Sequence, residues 1–495
     1  MRFLLLLSIV LGIVTISTAW RFLLRGRSKY AYSRELNLSS EKDLPKEQWF
    51  MQYLDHFNPA DHRTWKQKYF VNIEFYKVGG PVFLLIGGEG AADAEMMVNA
   101  QWVEYAKEFQ AMCFYVEHRF YGKSHPTADL SVKNLMYLHS DLALADLAYF
   151  IQSNNIDYKL PNETKWIVFG GSYAGSLSAW MRVKYPHLVH GAVSTSGPLL
   201  AKIDFQEYFS VVADVLKKSS QKCLDTLAEA NKQVHILLHH VAGQQRIQKL
   251  FKLCDPIDPG HTKKTDILNL YETLAGNVAG IVQYNKDNRP RSPTRNITVD
   301  DVCNILVDET IRLPVERLAL VNNMILNATK EKCLDYRYGK MIRELRNITW
   351  TSEQAEGGRQ WVYQTCTEFG FFQTSTAQPT LFPNNSFPVD FFVQQCVDIF
   401  GPRYNLDLLK LAVSQTNILY GALNIQATNV VFVHGSDDPW HVLGVTHSSN
   451  PQAPAILING TAHCADMYAP TEQDMPQLKD AKMQIRDLIE QWLKN

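Results

Sequence analysis

Four short apolar runs between residues 80 and 199 constrain the fold of this chain more than any other feature. They are "GPVFLLIGGEG" (80–90), "QAMCFYVEHRFYG" (110–122), "KWIVFGGS" (165–172) and "HGAVSTSGPL" (190–199). A strand has this nearly unbroken apolar character when both of its faces are covered, as inside a parallel sheet. Segments with helical spacing lie between them, "LHSDLALADLAYFIQSNN" (138–155) and "YAGSLSAWMRVKYP" (173–186). "QKYFVNIEFY" (67–76) alternates as one more strand. Strand, helix, strand, helix, strand predicts a doubly wound α/β sheet.

After Leu199 the pattern changes. Amphipathic helical segments dominate, beginning with residues 205–243, and six of the eight cysteines fall between 223 and 396. Strand-like runs resume at "TNVVFVHGSDDPW" (428–440) and "APAILINGTAHC" (453–464), and a helix at 478–494 closes the chain. A sheet that is interrupted and then completed predicts an α/β-hydrolase core, residues 49–199 and 397–495, with an inserted, disulfide-stapled helical cap, residues 200–396. Which cysteines pair is not legible from spacing.

The N-terminus, "MRFLLLLSIVLGIVTISTAW", has one arginine, an apolar run and small residues at Ser17 and Ala19. This is a signal-peptide layout over 1–19. Residues 20–48 are basic and polar and are expected to form a flexible leader or pro-segment. Secretion predicts paired cysteines and N-x-S/T acceptors. Acceptors occur at Asn37, Asn162, Asn296, Asn327, Asn347 and Asn384, with a seventh at Asn459 expected to be unused or to point outward. The expected address is the secretory pathway, secreted or lysosomal. A formal net charge of −1 over 495 residues gives no electrostatic case for nucleic acid or an anionic membrane. No membrane association is expected after signal cleavage, and no cofactor. His235 and His239 stand four apart on a helix, but no carboxylate or cysteine completes a metal set, so no metal site is expected.

Ser172 lies at a strand-to-helix turn among Gly170, Gly171 and Gly175. Such a turn can expose a nucleophilic hydroxyl and aim the following N–H at a developing oxyanion. The same residue could instead be a helix cap after a glycine-rich turn. A nucleophilic serine needs a base, and the base needs an orienting carboxylate. In a hydrolase sheet they follow in the order serine, acid, histidine, each after a strand. Asp437 and Asp438 follow one late strand and His463 follows the next, 25 residues beyond Asp438, room for one crossover. The oxyanion donors would be the N–H groups of Tyr173 and Gly88, with Glu89 close behind.

"GGSYAGSLSAW", "EHRFYG", "WVYQTCTEFGFF", "GSDDPWHVLG" and "GTAHCADMYAP" together resemble the serine carboxypeptidase family (S28) that includes lysosomal prolyl carboxypeptidase and dipeptidyl peptidase II. The resemblance covers about residues 45–495 and is strongest to the thymus-specific serine protease branch. It implies a serine exopeptidase acting on peptides, with cleavage expected next to proline, through an acyl-enzyme, with Ser172 as nucleophile, His463 as base and Asp438, the aspartate before Pro-Trp, as the acid. It implies that Trp440 braces the acid loop beside substrate and that Glu117 is structural. By motif position it pairs Cys366 with Cys396, then Cys254 with Cys333 and Cys223 with Cys303. Glu368, next to Cys366, is a candidate to bind a substrate amine or to brace the site. Where two branches of the family carry a second histidine after the catalytic one, this chain has Cys464, so strict prolyl carboxypeptidase specificity is not implied. A homodimer is left open. Two other readings fit the same residues: an esterase on the same triad, and a catalytically silent binding protein on the hydrolase fold.

Overall fold

The computed structural model describes residues 23–25, 27–28 and 44–495, apart from 287, 290–291, 378–380 and 384–385. The signal-peptide segment, Asn37 and Asn384 lie outside the described residues.

Eight strands form the central sheet: β3 (Gln48–Tyr53), β4 (Thr64–Asn72), β5 (Val82–Ile86), β6 (Met112–Val116), β7 (Trp166–Gly171), β8 (Gly191–Thr195), β11 (Val430–Gly435) and β12 (Ala455–Ile458). Among the described residues four others lie outside it: β1 (Leu23–Leu24) pairs antiparallel with β2 (Arg27–Ser28), and β9 (Lys202–Asp204) pairs parallel with β10 (Gly370–Phe372). The order across the sheet is β12-β11-β8-β7-β5-β6-β4-β3. The six strands from β12 to β6 are parallel, and β4 and β3 are antiparallel additions at one edge. Every residue of β5, β6, β7, β8 and β11 is buried, which is why those strands read as unbroken apolar runs.

Each face of the sheet packs on its own core. On one face Val82, Leu84, Phe114, Trp166 and Val168 meet the helices Ser140–Asp157 and Tyr173–Lys184. On the other, Phe83, Leu85, Ile167, Val431 and Val433 meet the helices Gln101–Phe109 and Pro476–Lys494. Right-handed crossovers between parallel strands place helices on both faces in this way.

Between β8 and β11 the chain leaves the sheet and builds a helical insertion. Disulfides join Cys223 to Cys303, Cys254 to Cys333 and Cys366 to Cys396, while Cys113 and Cys464 are free and buried. No described helix is long and apolar enough to cross a membrane.

The connection from β11 to the parallel β12 contains the short 3₁₀ turn Pro439–Leu443 and no described α-helix. Of the expected leader or pro-segment, Leu24, Arg25 and Arg27 are buried.

The two longer disulfide loops enclose sequence separations of 80 and 79 residues. Closing a loop of that size restricts the unfolded chain by an amount worth about 4 kcal/mol, and measured losses on removing native bridges run about 2–5 kcal/mol. Replacing Cys223 and Cys303 together by serine is therefore expected to lower the unfolding free energy by about 2–5 kcal/mol, read by denaturant titration.

Candidate active site

Ser172 directly follows β7 with φ 59° and ψ −132°. A residue with a Cβ visits that region at a cost of about 1–3 kcal/mol, and only where its surroundings enforce it. Here they do. The Ser172 N–H donates to the Thr195 carbonyl at 3.0 Å, and the Ser172 carbonyl accepts the Gly175 N–H at 2.8 Å. The helix Tyr173–Lys184 crosses its flanking strands so closely that a Cβ on Gly170 would stand 2.0 Å from the Ala174 carbonyl oxygen, and one on Gly175 2.4 Å from that of Thr195. Ser172 occupies the N-cap position, yet its hydroxyl makes no capping bond. That removes the simple capping explanation for the residue and leaves the hydroxyl available at the helix N-terminus.

Asp438 and His463 come from the loops after β11 and β12. The His463 Nδ1–H donates to Asp438 Oδ2 at 2.8 Å, with both side chains buried. The other carboxylate oxygen accepts the Trp440 N–H at 3.0 Å. Burial opposes the Asp438 charge, but the imidazole and the Trp440 N–H outweigh it and hold the carboxyl below its ordinary range. Burial likewise disfavours an imidazolium at His463, but Asp438, with a smaller contribution from Cys464, draws its pKa well above the usual value. Asp437 goes elsewhere: it pairs with Lys218 at 2.7 Å and accepts from the Ser436 hydroxyl. Geometry thus separates two adjacent aspartates that the residues alone leave open.

The base loop is seated against the serine loop. The Cys464 N–H donates to the Ser196 hydroxyl at 3.0 Å, and a Cβ on Gly171 would meet the Cys464 sulfur at 3.1 Å. Among the described residues no hydrogen bond closes between Ser172 and His463, as is common for a nucleophile and base before substrate tightens them.

Gly88 lies in the loop after β5, next to the loop after β7 because the two strands pair. Among the described residues the N–H groups of Gly88 and Tyr173 have no hydrogen-bond acceptor. Tyr173 is fixed by its phenol. Burial lowers the His118 pKa to about 4, so its imidazole is neutral. His118 Nδ1–H donates to the Arg119 carbonyl at 2.7 Å, which leaves Nε2 to accept from the Tyr173 hydroxyl at 3.1 Å. Gln364 donates in turn to the Tyr173 oxygen at 3.0 Å.

Other candidates take structural places. Glu368 is fully buried. One carboxylate oxygen accepts the Ser140 N–H at 2.9 Å and the Ser140 hydroxyl at 2.6 Å, and the other accepts from Gln364. Its carboxylate is taken up at the start of the helix Ser140–Asp157, where His139 Nε2 also lies 3.4 Å away, and this burial disfavours the substrate-amine role. Glu117 pairs with Lys68 at 2.5 Å and accepts from Ala92 and Ser124. Trp440 is buried, its indole donates to Gln283 Oε1 at 3.0 Å, and its ring lies 6.4 Å from that of His463. His235 bonds Tyr271, and no group of possible metal ligands occurs among the described residues. Asn162, Asn296, Asn327, Asn347 and Asn459 are exposed.

Two residues of the site carried no signal as side chains in the sequence. Glu89 is buried, and burial pushes its carboxyl up against the opposing pull of Arg27, His463 and the Ser172 hydroxyl. Tyr284 stands edge-on to His463 at 5.8 Å. Both reach the site from segments distant in sequence.

A serine at a strained strand–helix turn, a buried aspartate–histidine pair and two free N–H groups define a nucleophilic hydrolase site of the serine type. The profile of the family described as Serine carboxypeptidase S28 matches residues 52–485, and the chain belongs to that family. It is 36% identical over 464 residues to the thymus-specific serine protease of Mus musculus, covering 91% of this chain and 88% of that one. It is 34% identical to the Homo sapiens form, at 91% and 87% coverage. To the lysosomal Pro-X carboxypeptidase of Homo sapiens it is 28% identical, at 90% and 88% coverage. The protein is a serine-type exopeptidase.

The two aspartates give a direct test. Asp438→Asn is expected to lower kcat about 10³–10⁴-fold. It should also move the acid limb of the residual activity to lower pH, because the group that raises the His463 pKa is gone. Asp437→Asn, which loses only a partly exposed ion pair, should stay within about threefold of the parent. Peptide turnover measured across pH for both variants checks this.

Proposed function

We propose that Ser172 attacks the scissile carbonyl of a peptide while His463 takes its proton, with Asp438 holding the imidazole in the Nδ1–H tautomer. The observation that carries this reading is the buried 2.8 Å bond between His463 Nδ1 and Asp438, beside a serine whose hydroxyl is not spent on capping. With Nδ1 committed to the carboxylate, Nε2 is the nitrogen free to act as base. The imidazolium formed is stabilised by the same carboxylate. The N–H groups of Tyr173 and Gly88 receive the oxyanion of the tetrahedral intermediate. Collapse expels the amine, protonated by His463, and leaves an acyl-enzyme on Ser172 that water, activated by His463, hydrolyses.

The substrates in this reading are short peptides with a free end, admitted between core and helical insertion, with cleavage next to proline. A relative named Pro-X carboxypeptidase and the apolar indole wall of Trp440 near His463 favour a proline-adjacent bond. Cys464 stands where a strict prolyl carboxypeptidase would carry histidine, which favours a pocket with its own preference. The address is the secretory pathway, secreted or lysosomal. Three disulfides and five exposed glycan acceptors fit an oxidising compartment.

A digest tests the reading. Purified protein and its Ser172→Ala variant are incubated with free-ended peptides with and without proline, and the products are read by mass spectrometry. The expected result is loss of residues from one peptide end, abolished by Ser172→Ala. Internal cleavage, or cleavage retained by the variant, contradicts it.

A further inference from the structure

Other buried carboxyls of the core have their partners. Both oxygens of Asp146 are held by Arg119, at 2.7 and 2.6 Å. Glu117 has Lys68, the Ala92 N–H and the Ser124 hydroxyl, and Glu368 has Ser140 and Gln364. Glu89 differs. It is 5% exposed, and among the described residues its Oε2 is buried with no hydrogen-bond partner. A buried polar atom left unpaired in this way is destabilising, and a ligand that pairs it relieves the loss.

The position of that side chain says what the ligand is. Glu89 directly follows Gly88, whose N–H is one of the two oxyanion donors, and its carboxyl neighbours the Ser172 hydroxyl and His463. A peptide seated with its scissile carbonyl on Gly88 and Tyr173 lays its next atoms against Glu89. Reach decides which peptide end that is. The carboxylate of a single residue beyond the scissile bond lies roughly 3–4 Å from the carbonyl carbon, whereas the amino group of a dipeptide lies roughly 6–7 Å before it. Charge decides the same way. Burial pushes the Glu89 carboxyl up toward its neutral form against the pull of Arg27, His463 and Ser172, and the phenols of Tyr115, Tyr121 and Tyr284 lie within electrostatic reach. An ammonium would draw out the ionised form, and an ionised carboxylate here repels the developing oxyanion. A neutral acid instead donates its O–H to a substrate carboxylate in a short charge-assisted bond. The Arg27 guanidinium, whose Nε donates to the Glu89 carbonyl at 2.7 Å, and the imidazolium that forms at His463 both favour an anion there.

We propose that the Glu89 carboxyl binds the free C-terminal carboxylate of a peptide substrate, so that the protein removes residues one at a time from the C-terminus. This rests on the peptidase reading of the site. The test compares kcat/KM for one peptide sequence with a free or amidated C-terminus, and with a free or acetylated N-terminus, in the parent protein, Glu89→Ala and Glu89→Gln. Glutamine keeps a donor at this position and alanine does not. Labelling of Ser172 by a fluorophosphonate, which carries no carboxylate, reports whether the nucleophile of each variant is built.

The parent is expected to prefer the free C-terminus by about 10–100-fold in kcat/KM, the effect of one hydrogen bond to a charged group. Glu89→Ala should bring that preference to within about threefold of parity, chiefly through KM, and Glu89→Gln should restore most of it. Acetylating the N-terminus should leave turnover in place. If Glu89→Ala fails to label, the parent and Glu89→Gln decide alone. Equal turnover of free and amidated peptides by the parent, a preference that survives Glu89→Ala or is lost in Glu89→Gln, or turnover abolished by N-acetylation overturns the inference while the peptidase reading stands. No turnover of any peptide by the parent overturns the peptidase reading, and the inference with it.

Discussion

A histidine buried at the base of a cleft is of little use as a proton acceptor unless something fixes its tautomer and receives its charge. The bond from His463 Nδ1 to Asp438 does both, and much of the surrounding structure serves it. The carboxylate is kept ionised out of water by the imidazole and the Trp440 N–H. Trp440 is held by Gln283, whose Oε1 accepts from both the indole and the Tyr208 hydroxyl and whose carbonyl accepts the His463 N–H. Gln283 is the last residue of the helix Lys264–Gln283, in the insertion. One residue of the insertion therefore ties the acid loop to the base loop, and the helical layer is part of the site's alignment as well as its cover.

The nucleophile depends on a different resource, the close approach of backbone to backbone. β7, the helix that follows it and β8 meet where Gly170 and Gly175 leave no Cβ in the way, and the strained Ser172 is held there by backbone bonds to Thr195 and Gly175. Beneath it a fully buried polar chain runs from His118 through Tyr173 and Gln364 to Glu368 and Ser140. Such a network is costly if half satisfied and stiffening if complete. Here it pins Tyr173, the residue directly after Ser172, by its phenol.

Five of the six parallel strands, β5, β6, β7, β8 and β11, were legible because burial on both faces leaves its mark on every residue. β3 was not, because Trp49, Met51 and Tyr53 point outward at an edge and break the apolar-inside pattern. β9 and β10 are three residues each, 166 positions apart from Asp204 to Gly370, and no local signal pairs them. The order serine, acid, histidine was legible because each of the three residues follows its own strand. Choosing Asp438 over its neighbour needed the Pro-Trp resemblance, because two adjacent aspartates in one turn differ only in where the fold sends them. Glu368 looked cleft-facing beside a cysteine and aromatics. Its true partner, Ser140, is 228 residues away at the start of another helix. The leader arginines read as solvated charge for the same reason: their partners are Glu89 and residues between 356 and 395, and only the folded chain brings them together.

The central claim is that Ser172 is the one activated nucleophile, driven by His463. The most direct measurement is to react the protein with a fluorophosphonate and map the modified residue by mass spectrometry, in parallel with His463→Ala. The account predicts a single adduct on Ser172, formed at least about 10³-fold more slowly when the histidine is gone. An adduct on another serine, or labelling of Ser172 at an unchanged rate without His463, would contradict it.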